Sequence, residues 1–378
     1  MPGRAMIVTG EVSGDIYGGL LAADMLRIDP GIELSGVGSE KMEEAGVNLF
    51  LDSSHISVVG FWEAVTRLRK LRGILHSLKD RIRRERPDLL ILIDYPGMNL
   101  RLARFAHSIG IKVMYYVSPQ IWAWGRNRVK AIRDNVDKMV VILPFETGIY
   151  DAEGVDVAYV GHPLIDIVTP EVDRDTFRSG LGLEPGRRLV TLLPGSRSQE
   201  IKNHTKPLVE AAVRLGERFP STDFVLVTLP ALVDQVRAEA AAAGGGSLPI
   251  TSAHRYASLK YSDLALTASG TVTLEAALLE TPMIVIYKLA FFSWALGKLI
   301  VNVPHFSLTN LVAGERLVPE FLQGAVNPAS LAREAGSILE DDDRRARIVE
   351  GLKQIRVKLG GGGASERAAR LALSMMSG

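Results

Sequence analysis

The chain contains no cysteine. That excludes disulfides, thiolate-ligated zinc, iron–sulfur clusters and cysteine nucleophiles, and it fits a reducing cytoplasm. It has little net charge, +1 at neutral pH, which argues against general nucleic-acid binding. No apolar run reaches the ~20 residues a spanning helix needs; the most apolar stretch, Leu289–Val303, is shorter and carries Lys298. Ala5–Thr9 is too short for the apolar core of a secretory signal. There is no Walker A sequence, no complete G-x-G-x-x-G, no G-x-S-x-G elbow and no metal-ligand spacing among the seven histidines. A metal-free, cofactor-free site is therefore expected.

What is present is a long alternation of strand-like and helical segments over 378 residues, of which 47% are hydrophobic and 23% charged. Apolar runs read as strands at Ala5–Thr9, Leu89–Ile93, Lys112–Val117, Met139–Leu143, Ala158–Val160, Leu189–Leu193, Phe224–Thr228, Leu264–Thr267 and Met283–Tyr287. Several are near-continuous in Val, Ile and Leu, as strands buried on both faces are. The alternation predicts an α/β fold of two Rossmann-like halves with parallel sheets and a ligand site in the cleft between them. The boundary falls near Gly161–Arg174. Residues 1–163 form one half and 164–378 the other, with the C-terminal helices of Pro328–Met376 free to cross back.

Two runs carry most of the chemistry. Leu192–Glu200 and Leu266–Glu275 each place small residues where a strand turns into a helix, where free amides and the helix dipole attract an anion. The first adds Arg197, a planar donor suited to phosphate. Two such junctions suit a nucleotide diphosphate; either alone is equally an ordinary helix cap.

The first half has its own candidates. Gly10–Gly19 lets backbone approach a ligand closely, or forms a tight strand–helix turn with Asp15 as cap. Asp94 ends a very apolar strand, and such a setting raises a carboxyl pKa toward general-base use; a helix-capping role is the alternative. Tyr115–Arg128 is rich in aromatics for a chain with 6% of them, and Trp122 and Trp124 either line a pocket or pack in the core. Ser57–Arg86 repeats apolar residues at helical spacing, with nine Lys or Arg against two Asp or Glu between Arg67 and Arg86. Such a helix lies on an anionic membrane or packs on the core with a solvated basic face. Gly73 is a point where it could divide. His162 either faces the cleft or is structural.

In this order the motifs GEVSGD (10–15), SVVGFWE (57–63), IDYPGMN (93–99), YVSPQIWAW (116–124), LPFE (143–146), VGHPL (160–164), LLPGSRSQE (192–200), ASGTVTLE (268–275), VPHFSLTNLVAGERLVPEFLQ (303–323) and GASERAA (363–369) resemble the lipid-A-disaccharide synthases, inverting glycosyltransferases of GT-B fold. The resemblance covers nearly the whole chain. It implies transfer of a diacylglucosamine from its UDP derivative to diacylglucosamine 1-phosphate, without metal, by a protein peripheral to the cytoplasmic membrane. It permits a homodimer.

Carried over by motif, Asp94 becomes the base. Gly195, Ser196, Arg197, Glu200, Ser269, Gly270, Thr271, Glu275 and Asn310 become donor contacts. Glu11, Ser13, Asp15 and His162 fall on the acceptor side, and Val58, Val59, Phe61, Trp62 and Leu68 meet acyl chains or membrane. The chain departs from the pattern at Gly97, where many members carry a second Asp. A UDP-N-acetylglucosamine 2-epimerase of the same architecture is the rival enzyme. A nucleotide-dependent membrane-binding module is the non-enzymatic one.

Overall fold

A computed structural model describes residues 2–53, 64–122, 128–288 and 304–377. They form two compact units, the first comprising residues up to Pro163 together with those from Gly360, the second Leu164–Leu359.

The first unit is built on seven parallel strands: β1 Arg4–Val8, β2 Glu33–Gly38, β3 Asn48–Asp52, β4 Leu89–Ile93, β5 Lys112–Tyr116, β6 Lys138–Val141 and β7 Val157–Tyr159. Their order is β3-β2-β1-β4-β5-β6-β7. β4 is Leu-Leu-Ile-Leu-Ile and buried throughout, the composition a strand needs when helices cover both faces of its sheet. The polar, glycine-containing β2 and the half-buried β3 lack that signature and were not anticipated.

Helix Ala64–Glu85 runs unbroken through Gly73. Leu78 and Ile82 lie in the core, with Leu71, Ile74 and Leu75 packed against it. Over this stretch the apolar stripe therefore serves the core rather than a lipid surface. Val58, Val59, Phe61 and Trp62 lie outside the described residues, as do Trp124 and the side chain of Leu68.

The last helix, Ala364–Ser377, belongs to the first unit, so the second half ends at Leu359 rather than at the C-terminus. It packs along helix Val12–Ile28. The Arg367 guanidinium donates to the Val160 carbonyl from Nε at 2.9 Å and Nη2 at 2.7 Å. Glu366 pairs with Arg27 at 2.9 Å. Gly360, at φ 87°, starts this return with its backbone against Gly161.

The second unit has six parallel strands: β8 Arg188–Leu193, β9 Thr222–Val227, β10 Ile250–Thr251, β11 Leu264–Ala268, β12 Met283–Tyr287 and β13 Glu320–Leu322. Their order is β10-β9-β8-β11-β12-β13. The two edge strands, of two and three residues, are too short to leave a periodic signal.

Among the described residues, no helix is long and apolar enough to cross a membrane.

Candidate functional site

In an open parallel sheet, ligands bind beyond the strand C-termini where the strand order reverses. In the first sheet that point lies between β1 and β4, which pair directly, Val8 beside Leu92. The chain leaves β1 through Thr9–Glu11 and β4 through Asp94–Tyr95. Sheet topology thus brings Glu11 and Asp94 to one place.

Asp94 and Tyr95 both have φ 46°, a conformation that costs a residue with a side chain about 1–3 kcal/mol. Tyr95 also precedes Pro96, which restricts it further. The neighbours hold this turn. Asn99 Nδ2 donates to the carbonyls of Ile93 at 3.1 Å and Asp94 at 2.8 Å. The Tyr115 hydroxyl donates to the Asp94 carbonyl at 2.5 Å. The Tyr95 ring lies so close to Gly10 that a β-carbon there would sit 2.6 Å from it, which is why this position is glycine.

Asp94 is half-buried at this turn. Burial, and then the charge of Glu11, raise its pKa to about 7, against a smaller opposing backbone hydrogen bond. A carboxyl poised there is charged part of the time at neutral pH and retains the basicity to accept a proton.

Beside this turn lies a buried polar group that sequence reasoning passed over. Glu146 follows the Leu143-Pro-Phe run at the end of β6 and is buried. Burial pushes its carboxyl up to about 8, opposed first by the Leu143 amide, which donates to Oε2 at 3.3 Å, and the charge of Asp94 adds to the rise. Ser118 Oγ and the Tyr150 hydroxyl are 2.7 Å apart. Trp122 sits edge-on to Phe145 with centroids 5.5 Å apart, so this tryptophan packs against the LPFE segment. The available signal was an acid immediately after an apolar strand and a Leu-Pro-Phe turn.

The other acceptor-side expectations divide. Ser13 is half-buried in the first turn of its helix. Asp15 accepts the amides of Ser39 at 2.6 Å and Met42 at 3.4 Å through Oδ1, and that of Lys41 at 3.0 Å through Oδ2. It caps helix Glu40–Glu44 rather than its own helix. His162 is buried edge-on to Tyr17, centroids 6.1 Å apart, and burial drives its pKa to about 3, so it stays neutral.

The second sheet reverses between β8 and β11, where Leu193 pairs with Thr267. The two junctions read from the sequence are therefore neighbours in space. After β8, Gly195 takes φ 131°, and a β-carbon there would collide with the Glu200 carboxylate. Glu200 Oε2 accepts the amides of Ser196 at 2.9 Å and Arg197 at 3.3 Å. Glu200 thus closes a capping box and engages the Ser196 and Arg197 amides. The Arg197 side chain remains 69% exposed and only loosely paired to Glu200, at 3.6 Å.

His204 pins this loop: its Nδ1 is 2.7 Å from the Pro194 carbonyl, and its Nε2 accepts the Lys288 amide at 2.9 Å. Nε2 as acceptor makes Nδ1 the protonated nitrogen, and burial lowers the ring's pKa to keep it neutral.

After β11, the Ser269 hydroxyl donates to the Phe306 carbonyl at 2.7 Å. The amides of Gly270 and Thr271 take no partner among the described residues, as expected at the start of helix Val272–Leu278. Glu275 is buried with Oε1 3.0 Å from Arg255 Nη2. Burial raises its pKa, partly offset by Arg255. Its Oε2 has no hydrogen-bond partner among the described residues. A buried carboxylate oxygen without a donor is costly.

Asn310 is fully buried, and its Oδ1 accepts the Val318 amide while its Nδ2 donates to the Val318 carbonyl, each at 2.9 Å.

Residues 5–374 match the family model described as lipid-A-disaccharide synthetase. The chain belongs to this family. Membership makes it a glycosyltransferase. The lipid-A-disaccharide synthase of Geobacter sulfurreducens is 43% identical over 373 residues, covering 99% of this chain and 97% of the relative.

Solved structures share the fold at lower identity. A UDP-GlcNAc 2-epimerase from Neisseria meningitidis, bound to UDP-GlcNAc, aligns with a TM-score of 0.68 at 12% identity, covering 99% of this chain and 100% of that one. The glycotransferase of kitacinnamycin aligns at 0.64 and 17% identity, covering 100% of both. At such identities the likeness carries the GT-B architecture and does not favour the epimerase activity.

Proposed function

We propose that this chain joins a UDP-activated diacylglucosamine to diacylglucosamine 1-phosphate, forming a β-1,6-linked disaccharide 1-phosphate and UDP with inversion. Beyond family membership, the observation that carries the reading is Asp94, a carboxyl with a pKa of about 7 at the switch point of the first sheet.

In this reading Asp94 takes the proton of the acceptor 6-hydroxyl. That oxygen forms its bond to the anomeric carbon from the face opposite UDP, and the bond to the diphosphate oxygen breaks. The electron pair leaves with UDP. By analogy with glycoside hydrolysis, the transition state is oxocarbenium-like. Arg197 and the amides of Gly270 and Thr271 stabilise the growing negative charge. Glu275 Oε2 accepts a ribose hydroxyl. Arg197 and these amides supply positive potential at the diphosphate, so we expect activity without added metal; a strict EDTA loss restored by magnesium would sink that expectation.

The acyl chains and the basic helix Ala64–Glu85 favour action at a membrane surface. Each buried methylene contributes roughly 0.8 kcal/mol.

The test is incubation with both substrates in detergent micelles, following UDP and disaccharide by mass spectrometry. Both products, formed only with both substrates, support the reading. UDP released without acceptor would favour hydrolysis or an epimerase-like site, and no turnover at all would remove it.

A further inference from the structure

Two residues beyond Asp94 the chain lines a depression of about 390 Å³, bounded by Lys79, Pro96, Gly97, Leu100, Arg101 and Arg104. Its charge is of one sign. Helix Pro96–Ser108 contains no Asp or Glu, so Arg101 and Arg104 have no partner along their own helix. On helix Ala64–Glu85 the two acids are already engaged: Asp80 by Arg83 at 3.1 Å and His76 at 3.2 Å, Glu85 by Arg81 at 2.5 Å. The Lys79 ammonium instead lies over the Phe105 ring of the adjoining helix, 5.3 Å from its centre. Among the described residues, none of the three cations forms an ion pair. The N-terminus of the 13-residue helix opens on the same depression and adds its dipole.

Three cations lining one depression beside a helix N-terminus fit a phosphomonoester, whose two charges and several acceptor oxygens match such a donor set. Leu100 gives the depression an apolar side for the ring or chain that carries the phosphate.

We propose that Lys79, Arg101 and Arg104 form the subsite for the phosphate of the sugar acceptor. The assignment rests on the function proposed above. In that reaction the diphosphate belongs to the donor, whose candidate contacts lie in the second unit. The acceptor phosphate is the anion brought to the first unit, on the same sugar as the hydroxyl that Asp94 deprotonates. The subsite would orient the acceptor from its anomeric end and discriminate against sugars lacking the phosphate.

The test compares wild type, Arg101→Gln and the triple variant Lys79→Gln/Arg101→Gln/Arg104→Gln. Each is assayed in micelles with diacylglucosamine 1-phosphate and with the same sugar lacking phosphate. Loss of one charge-assisted contact should lower the preference in kcat/KM for the phosphorylated acceptor about tenfold or more. The triple variant should bring it close to unity. Inorganic phosphate should compete with acceptor in the wild type and not in the triple variant. A preference unchanged by the substitutions overturns the subsite. So does a triple variant that loses only sedimentation with phosphatidic acid vesicles, since the cations would then serve lipid headgroups.

Calorimetric binding of a short-acyl glucosamine 1-phosphate separates this inference from the reading beneath it. If wild type turns over neither acceptor but binds this compound, and the triple variant does not, the subsite stands and the reaction falls. Equal binding by both removes the subsite.

Discussion

The side-chain amide of Asn99 donates to the carbonyls of both Ile93 and Asp94, across the point where the backbone leaves β4 for a left-handed turn. Asn99 is thereby placed to hold the Asp94 backbone. Asn99→Ala should destabilise the fold by about 1–3 kcal/mol, because two buried carbonyls lose a donor. It should also lower kcat while leaving the donor KM near its wild-type value. Urea denaturation and steady-state kinetics check both. A full kcat in a destabilised variant would reduce Asn99 to a structural role.

Asp94 binds its proton more tightly in the folded chain, with a pKa of about 7, than the ordinary value of 3.8. That proton stabilises the fold fully below the ordinary value, and its contribution is lost as pH rises toward 7. Activity runs the other way, since the base must be charged: kcat/KM should climb through pH 7 and level off above it. Asp94→Asn should lower kcat about 10²–10⁴-fold. At pH 8 it should also be more stable than wild type, on the order of 1–3 kcal/mol, with the two converging near pH 4. Thermal unfolding across that range reads the stability side. A variant of near-normal turnover, or one less stable at pH 8, would remove Asp94 as the strained and desolvated base.

The same residues show how far the sequence is legible. Asp94 could be read because an apolar strand ending in a carboxylate is a pattern along the chain. The two anion junctions could be read for the same reason, and pairing of β8 with β11 brings them together. Asp15, Glu200 and Asn310 show what the sequence leaves open, because a polar side chain that caps a helix or clamps a loop looks, in one dimension, like one that binds a ligand. What separates them is the partner, and Asp15 finds its partners 24 to 27 residues away. Glu146 was missed because its burial comes from elements distant in sequence. The return of Ala364–Ser377 depends on Arg367 reaching Val160, a contact across 207 residues that no local pattern encodes.

Glu275 offers a direct test of the donor site. Its Oε1 is held by Arg255 and its Oε2 has no partner among the described residues. Glu275→Gln keeps the shape and removes the charge, so UDP affinity should fall about 10- to 100-fold, the range of one charge-assisted hydrogen bond. Calorimetry with UDP measures it. The acceptor KM serves as the control and should hold. UDP binding at wild-type strength would mean that this oxygen does not face the nucleotide.

His204 tests whether the loop after β8 must be held for the donor to bind. Its ring joins the Pro194 carbonyl to the Lys288 amide, and Asn203 adds a bond to the Lys288 carbonyl at 3.1 Å. The Lys288 bond needs an unprotonated Nε2. Burial lowers the pKa, so the folded chain takes up this proton less readily than the unfolded one. The stabilisation is complete above the ordinary imidazole value of 6.5 and declines as pH falls below it. His204→Ala orphans both backbone groups and should cost about 2–4 kcal/mol at pH 8. The gap from wild type should narrow at pH 5.5. Donor KM should rise and acceptor KM stay, because only the Gly195–Arg197 loop loosens. Urea titrations at the two pH values, with KM for each substrate, decide the matter. An equal stability gap at both values together with an unchanged donor KM would rule out the clamp.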